Sequence, residues 1–555
     1  MITFLIGLAL LIVGAAIYGR VCEKVIKPTD DKTPAVKQFD GVDYVPMKKW
    51  KNSLIELLNI AGTGPILGPI QGILFGPIAF ITIPIGCVLG GAMHDFMCGM
   101  ISVRSDGEQM PNLVKRFLGK YAYRVYNVLV CLLMLLVGVV FIYTPGDIFV
   151  TQILNQDSTL SNPIVWVVYG AIFIYYIIAT LLPIDKIIGK IYPIFGAVLL
   201  LSAIGVFAGL FLKDYKLDDL LSADDPKMWV VIGIITAIFI AAALIPLDKV
   251  INKLYPLFGS VVLFAGIGIF IALLLRGYKL DELWSSGFSF VNPYGEHFIP
   301  IFFVTVACGI VSGFHSTQAT LISRTMGNEH EGRMTFYNMM ILEGFIAMVW
   351  AAAAMGAVQS GLATNDMLHD SPTAVVGIVA KDMLGSIGGI IAIIGVIVLP
   401  ITSGDTSLRS LRIMLSDAFH LDTTKKRNNL LLALVIFGIV GGILIYAKSD
   451  ASGFNVLWRY FSWANESTAV FAFAMISVYM IRHEMPYLMA LIPGTFYMYI
   501  VSAYILNAKI GFGLPWTASY IIAAVLALGY VAALVLYGHK KKREESLEIP
   551  ATEEA

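Results

Sequence analysis

Residues 60–69 read Ile60-Ala61-Gly62-Thr63-Gly64-Pro65-Ile66-Leu67-Gly68-Pro69, with three glycines and two prolines in ten positions of an otherwise apolar run. Proline removes a backbone donor and clashes with the preceding turn, and glycine costs about 1 kcal/mol in a helix interior, so a continuous helix is not expected here. The run sits in a stretch, about 53–75, long enough to cross a hydrocarbon layer roughly 30 Å thick. Backbone groups freed by a break in lipid must face protein, an ion or a watery cavity, because each one left unsatisfied costs several kcal/mol. A discontinuous helix near the bilayer middle is how secondary transporters bind substrates and ions.

The rest of the chain fits that setting. Of 555 residues, 58% are hydrophobic and 14% charged, against about 25% charged in a soluble protein. The formal net charge of zero gives no basis for a nucleic-acid partner. Hydropathy predicts an all-α polytopic membrane protein with about fifteen transmembrane helices, near 2–19, 53–75, 77–103, 125–146, 164–182, 190–212, 229–247, 254–275, 298–323, 336–358, 386–403, 429–447, 456–480, 486–507 and 517–537. No positive charge precedes the apolar run in Met1 to Gly19, which is therefore read as a retained first helix rather than a signal peptide. Most basic residues near span ends fall in the loops after odd-numbered spans, among them Lys48, Lys49, Lys51, Arg104, Arg116, Arg324, Arg333 and Arg482, with Lys540 to Arg543 in the tail. The positive-inside rule then places the N-terminus outside and the C-terminus in the cytoplasm of a cell inner membrane, surrounded by lipid. Cys22, Cys87, Cys98, Cys131 and Cys308 are odd in number, lie in or beside apolar segments and suggest no disulfide framework.

A tandem repeat at an offset of about 63 residues matches Pro183-Ile184-Asp185-Lys186 to Pro246-Leu247-Asp248-Lys249, and Tyr215-Lys216-Leu217-Asp218 to Tyr278-Lys279-Leu280-Asp281. It reads as a duplicated helical hairpin, with copies at 166–220 and 229–283. Span nine contains a second, milder break, Cys308-Gly309-Ile310-Val311-Ser312-Gly313-Phe314-His315-Ser316-Thr317-Gln318. Spans two and nine enter from opposite sides, and removing one hairpin leaves spans two to six against nine to thirteen, a five-plus-five inverted-repeat core. The expected division is 1–52 for the first helix and loop, 53–228 for the first half of the core, 229–283 for the second hairpin copy, 298–480 for the second half, and 481–555 for two peripheral helices and a basic tail.

Candidate sites follow from the breaks. The half-helix start at Gly62, Thr63, Gly64 and Pro65, with Gly313, His315, Ser316 and Gln318, is the expected substrate site, its amides and dipole facing a carboxylate. Span eleven ends in Leu399-Pro400-Ile401-Thr402-Ser403-Gly404-Asp405-Thr406. Hydroxyls of Thr402, Ser403 and Thr406, with carbonyls of Ala61 and Gly64, form a possible oxygen set for a sodium ion, the one cofactor considered; the alternative is hydroxyls bonded back to their own helix. His94, Asp95, Glu343 and Asp405 are candidates for proton coupling, since an ionisable group inside a bundle is a functional hypothesis by default. His94 and Asp95, being adjacent, are expected to point apart. Glu466, in Trp463-Ala464-Asn465-Glu466, reads as helix glue.

Other motifs fail. Asp31-Lys32-Thr33-Pro34 lacks the Gly-Thr continuation of a phosphorylated pump, and Gly119-Lys120 and Gly189-Lys190 lack the spacing of a phosphate-binding loop. No nucleophilic triad is apparent, so an enzyme is not expected.

The combination of Asp30-Asp31-Lys32-Thr33-Pro34-Ala35, Asp40-Gly41-Val42-Asp43-Tyr44-Val45-Pro46, Ile60 to Pro65, His94-Asp95-Phe96, Ser312 to Gln318 and Thr402 to Thr406 resembles the carbon-starvation (CstA-type) transporter family over most of the chain. The resemblance implies an inner-membrane carrier with the five-plus-five core of amino-acid and organocation transporters. It also implies import of short peptides during starvation or, for some members, proton-coupled pyruvate uptake. Longer members carry a His-His pair where this chain has Ile55-Glu56, which leaves Glu56 or a sodium ion to substitute. The expectation is a cation-coupled symporter, driven by protons or sodium, for a small carboxylate or short peptide; the alternatives are a channel or facilitator and a nutrient sensor for the same ligand.

Overall fold

The computed structural model describes residues 1–40, 44–181, 266–275, 277–419, 421, 426–450 and 452–548. Its helices are α1 (Ile2–Ile26), α2 (Lys49–Ile60), α3 (Gly64–Gly72), α4 (Ala79–Arg104), α5 (Met110–Ile148), α6 (Pro163–Leu181), α7 (Phe303–Ile310), α8 (Gly313–Ile322), α9 (Asn338–Gln359), α10 (Pro372–Ala418), α11 (Lys426–Ser449), α12 (Gly453–Arg482), α13 (Leu488–Asn507) and α14 (Trp516–Glu548). Among the described residues there is no β-strand, and nine helical stretches are long and apolar enough to cross a membrane. Shorter apolar helices at Gly64–Phe75, Pro163–Ile178, Gly266–Leu275 and Gly388–Val398 accompany them. The expected spans at 190–212 and 229–247, most of that at 254–275, and the matched core of the duplicated hairpin lie outside the described residues.

Both expected breaks are present. The first span splits into α2 and α3 at residues 61–63, and the second into α7 and α8 at Val311 and Ser312, whose backbones are extended. Proline and glycine explain the first; Ser312 and Gly313 follow an apolar half-helix at the second. Two stretches, α5 and α10, run longer than hydropathy suggests because each is a pair of helices joined at a kink. Gly119 in α5 (φ 88°) and Gly385 in α10 (φ 74°) take left-handed values open to glycine, setting a lead-in turn at an angle to the span that follows.

Burial separates core from rim. In α12, 94% of the apolar stretch is buried, against 22% in α14, so the first is the central post and the second presents itself to lipid. The post packs against α5, α7, α8 and α13, while α3 lies against α7 and α9, and α8 against α4. The two breaks thus meet beside α12.

Candidate functional site

Small residues bring the half-helices into backbone contact. Gly64, Gly68 and Gly72 recur every fourth position on one face of α3, and that face meets Cys308, Thr305 and Val306 of α7. A Cβ added at Gly64 would stand 2.2 Å from the Cys308 Cβ, and one at Gly68 would stand 2.7 Å from the Thr305 carbonyl oxygen. Such small-residue stripes replace the hydrophobic drive that lipid removes.

Asn465 of α12 holds the second break. Its Oδ1 accepts from the Ser312 hydroxyl at 3.1 Å and from the Phe314 backbone N–H at 2.8 Å, while its Nδ2 donates to Cys308 Sγ at 3.2 Å. A peptide N–H freed where the helix parts thereby keeps a buried partner. Between the breaks lies a cavity of about 20 Å³, lined by Asn59, Gly62, Gly64, Cys308, Ser312, His315, Ser403 and Asn465 among others, room for a single water.

Beside this cavity runs a line of fully buried ionisable groups. His94 Nδ1 lies 2.7 Å from Asp95 Oδ1, Asp95 Oδ2 lies 3.1 Å from His315 Nδ1, and His315 Nε2 lies 3.5 Å from Glu343 Oε2. The expectation that His94 and Asp95 point apart is corrected: adjacent helical side chains diverge, but Nδ1 is the imidazole nitrogen nearest the backbone and the Asp95 carboxylate reaches it while its second oxygen faces His315. Asp95 therefore sits between two imidazoles, and His315 between two carboxylates. A proton can be held at any of several atoms along this line, which is what a proton-exchange site requires.

Of the other candidates, Gly62, Gly64, His315 and Ser403 share the cavity lining, whereas Ala61, Thr63, Pro65, Gly313, Ser316 and Gln318 are outside it. Ser316 donates to the Gly313 carbonyl at 2.6 Å and Gln318 Nε2 to Thr317 Oγ1 at 3.2 Å. Thr402, Asp405 and Thr406 are on the α10 backbone, but their side chains lie outside the described residues. Glu466 departs from the glue reading: it is fully buried and neither carboxylate oxygen meets a hydrogen-bond partner among the described residues.

Asn465, Asn59 and Ser312 were not singled out as ligands from sequence; the signal for Asn465 was a polar pair in the middle of an apolar span. A further network went unread. At the far end of α3, Gln71 Nε2 donates to Asn455 Oδ1 at 2.5 Å and to the His369 carbonyl at 2.9 Å. His369 in turn lies 3.3 Å from Glu296 and 2.6 Å from Asp370, and Arg459 pairs with Glu296. Its members come from four separate stretches of chain, with no spacing to connect them.

The family model for carbon starvation protein CstA matches residues 1–381 and 373–504. An uncharacterized membrane protein of Haemophilus influenzae is 38% identical over 66% of this chain and 94% of its own length. The peptide transporter CstA of Escherichia coli is 24% identical over 84% of this chain and 74% of its own. The pyruvate/proton symporter BtsT of Escherichia coli is 25% identical over 62% of this chain and 47% of its own, so that this chain spans about half its length. Among solved structures, a manganese transporter from Eremococcus coleocola overlays with a TM-score of 0.46 at 10% identity, covering 89% of this chain and 94% of its own, too loose a likeness to define the helix layout. Matched by the family model across most of its length and built of membrane-spanning helices, the chain belongs to the carbon starvation protein CstA family of multi-pass membrane proteins.

Proposed function

We propose that this protein is a secondary active transporter that imports a small carboxylate such as pyruvate, or a short peptide, by symport with protons across the inner membrane, N-terminus outside and C-terminus cytoplasmic. The observation that carries the reading is the buried line His94–Asp95–His315–Glu343 beside two broken helices. Relatives named as peptide transporters and as a pyruvate/proton symporter support it. In this reading α2–α3 and α7–α8 are corresponding halves of a five-plus-five inverted core, within a complement of about fifteen spans, and substrate is held at Gly62, Thr63, Gly64 and Pro65 against Gly313, His315, Ser316 and Gln318. Asp405 belongs to the coupling machinery. The groups bind and move substrate and protons without covalent chemistry.

A sodium-coupled variant is the second reading, and one observation favours it: Gly64 and Ser403, two members of the expected oxygen set, line the same cavity. Ala61, Thr402 and Thr406 complete that set.

The deciding experiment is uptake of labelled pyruvate and of a labelled dipeptide into proteoliposomes under separately imposed proton and sodium gradients. Uphill accumulation under an inward proton gradient supports the proposal. Accumulation under sodium alone moves the assignment to the second reading, and flux that ignores both gradients overturns symport in favour of a facilitator.

A further inference from the structure

The proposed coupling line does not use every buried acid near it. Glu56 lies on α2, little more than one turn before the chain breaks, and is fully buried. Neither of its carboxylate oxygens meets a hydrogen-bond partner among the described residues. Its helix packs against α8, which carries His315, and against α9, which carries Glu343.

Charge counting makes this arrangement informative. Asp95, Glu343 and Glu56 are three buried carboxyl groups set against two imidazoles, His94 and His315, each of which hydrogen-bonds Asp95. Even with both imidazoles protonated, three ionised carboxylates would leave an uncompensated negative charge in an apolar interior, where an unpaired ion costs several kcal/mol or more. Among the described residues, the elements packed against α2 bring titratable groups that already have partners or belong to the line: α8 contributes His315, α9 contributes Glu343, residues 323–325 contribute Arg324, whose Nε donates to the Gly107 carbonyl at 2.9 Å, and residues 333–337 contribute Arg333 and Tyr337. Arg333 is engaged with Glu23 at 2.6 Å, and Tyr337 donates to the Val88 carbonyl at 3.1 Å. The missing positive charge is then supplied by a proton.

Polar side chains also precede Glu56 on α2. One turn before Glu56 is Asn52, buried, with its Nδ2 unpartnered among the described residues and its Oδ1 accepting from Thr325 Oγ1 at 2.7 Å. Beside it Ser53 Oγ and Thr335 Oγ1 are 3.2 Å apart. Asn52 and Ser53 lie between Glu56 and Lys48, Lys49 and Lys51 along the chain, toward the end that the positive-inside assignment turns to the cytoplasm.

We propose that Glu56 is a second proton-binding site, on the cytoplasmic side of the break, which takes a proton from the His94–Asp95–His315–Glu343 line and releases it past Asn52 and Ser53 when α2 opens to water. The inference rests on proton-coupled transport and adds one proton to each cycle. The transfer is an exchange between oxygen and nitrogen bases: Glu56 gains O–H as His315 or Glu343 loses its proton, and water at the inner mouth accepts it afterwards.

The test compares wild type, Glu56→Gln and Glu56→Asp in proteoliposomes, reading the proton-to-substrate ratio from the membrane potential that just halts pyruvate or dipeptide flux. Glu56→Gln is expected to lower the ratio by one proton and to flatten the dependence of uptake on internal pH, while Glu56→Asp restores both. A ratio and pH profile in Glu56→Gln identical to wild type would overturn the inference while leaving proton symport in place. Wild-type flux that ignores a proton gradient would instead overturn the transport reading beneath it. Should Glu56→Gln fail to fold, infrared difference spectra of the wild-type and Glu56→Asp proteins decide: a substrate-induced change in a protonated-carboxyl band that shifts in Glu56→Asp supports the site, and a band unmoved by the substitution refutes it.

Discussion

The contact between Gly64 and Cys308 makes Gly64→Ala the sharpest test of how the two broken helices meet. An alanine Cβ would stand 2.2 Å from the Cys308 Cβ and 2.6 Å from its sulfur. Carbon atoms pack best at about 3.5–4.0 Å, so α3 and α7 must part by about 1.3 Å or more. The Cys308 Cβ is fixed to its backbone and cannot rotate away, so the whole half-helix has to move. Overpacking of this kind costs about 1–3 kcal/mol, and the shift falls on a cavity of about 20 Å³ that includes both residues. Gly64→Ala is expected to lower the thermal stability of the detergent-solubilised protein and to abolish substrate accumulation. The partner substitutions separate the cause. Cys308→Ala leaves the offending Cβ in place and should not rescue Gly64→Ala, whereas Cys308→Gly removes it and should recover most of the stability, less about 1 kcal/mol for a glycine inside α7. Thermal unfolding followed by size-exclusion chromatography and uptake into proteoliposomes read both effects. Equal stability of Gly64→Ala and wild type, or rescue by Cys308→Ala as complete as by Cys308→Gly, would refute the packing argument.

Asn465→Ala leaves the buried Phe314 N–H and the Ser312 hydroxyl without their acceptor; a loss of about 1–3 kcal/mol in unfolding stability is expected, and an unchanged unfolding curve would show that the second break needs no pin. Asp95→Asn removes the charge between two imidazoles and should reduce proton-driven accumulation at least about tenfold, the size of a single coupling energy of about 1.4 kcal/mol; normal accumulation would remove Asp95 from the coupling line. The network at the far end of α3 gives a pH signature. Burial works against ionisation of Glu296, but the hydrogen bond from His369, the charge of Arg459 and the amide of Asn292 together hold its pKa down to about 2. The Glu296 hydrogen bond, opposed by burial and aided by Asp370, raises His369 above the ordinary imidazole value. The Glu296 contribution is present above about pH 4.3 and fades toward its lowered value, while that of His369 is present below about pH 6.5 and is lost as pH rises through its raised value. The stability gap between wild type and His369→Gln should thus be widest between those limits and shrink at alkaline pH; a gap constant with pH would refute the pairing.

What the sequence disclosed depended on whether the physics was local. The breaks at 61–63 and at Val311–Ser312 were legible because proline and glycine act on their own turn, and the lipid-facing helices because hydropathy needs no partner. The lead-in helices of α5 and α10 were not, since a lone glycine such as Gly119 or Gly385 does not announce a kink and hydropathy is blind to the polar helix before it. Asp95, His315 and Glu343 could be named as intramembrane ionisable groups, but their convergence comes from α4, α8 and α9 packing together, which no spacing within a span encodes. Asn465 was passed over for the same reason: an asparagine in a span reads as glue until the extended Ser312 it serves is in view.

The break at 61–63 gives each half of the helix its own attachment. α3 is tied to α12 and to the segment before α10 through Gln71, Asn455 and His369. α2 is tied to the segment after α8 through Asn52–Thr325 and Ser53–Thr335. With a continuous helix, releasing one end would pull on the other, because a helix transmits displacement along its hydrogen-bond ladder. With three non-helical residues between them, the outer half can leave its partners while the inner half stays seated, and the reverse. A cavity of about 20 Å³ is too small for pyruvate, so under the proposed transport reading a substrate of that size requires one half to move. Under the proposed proton symport, the line from His94 to Glu343, whose His315 lines the cavity between the breaks, would change its water access with whichever half is open, and that would tie proton exchange to the order of opening.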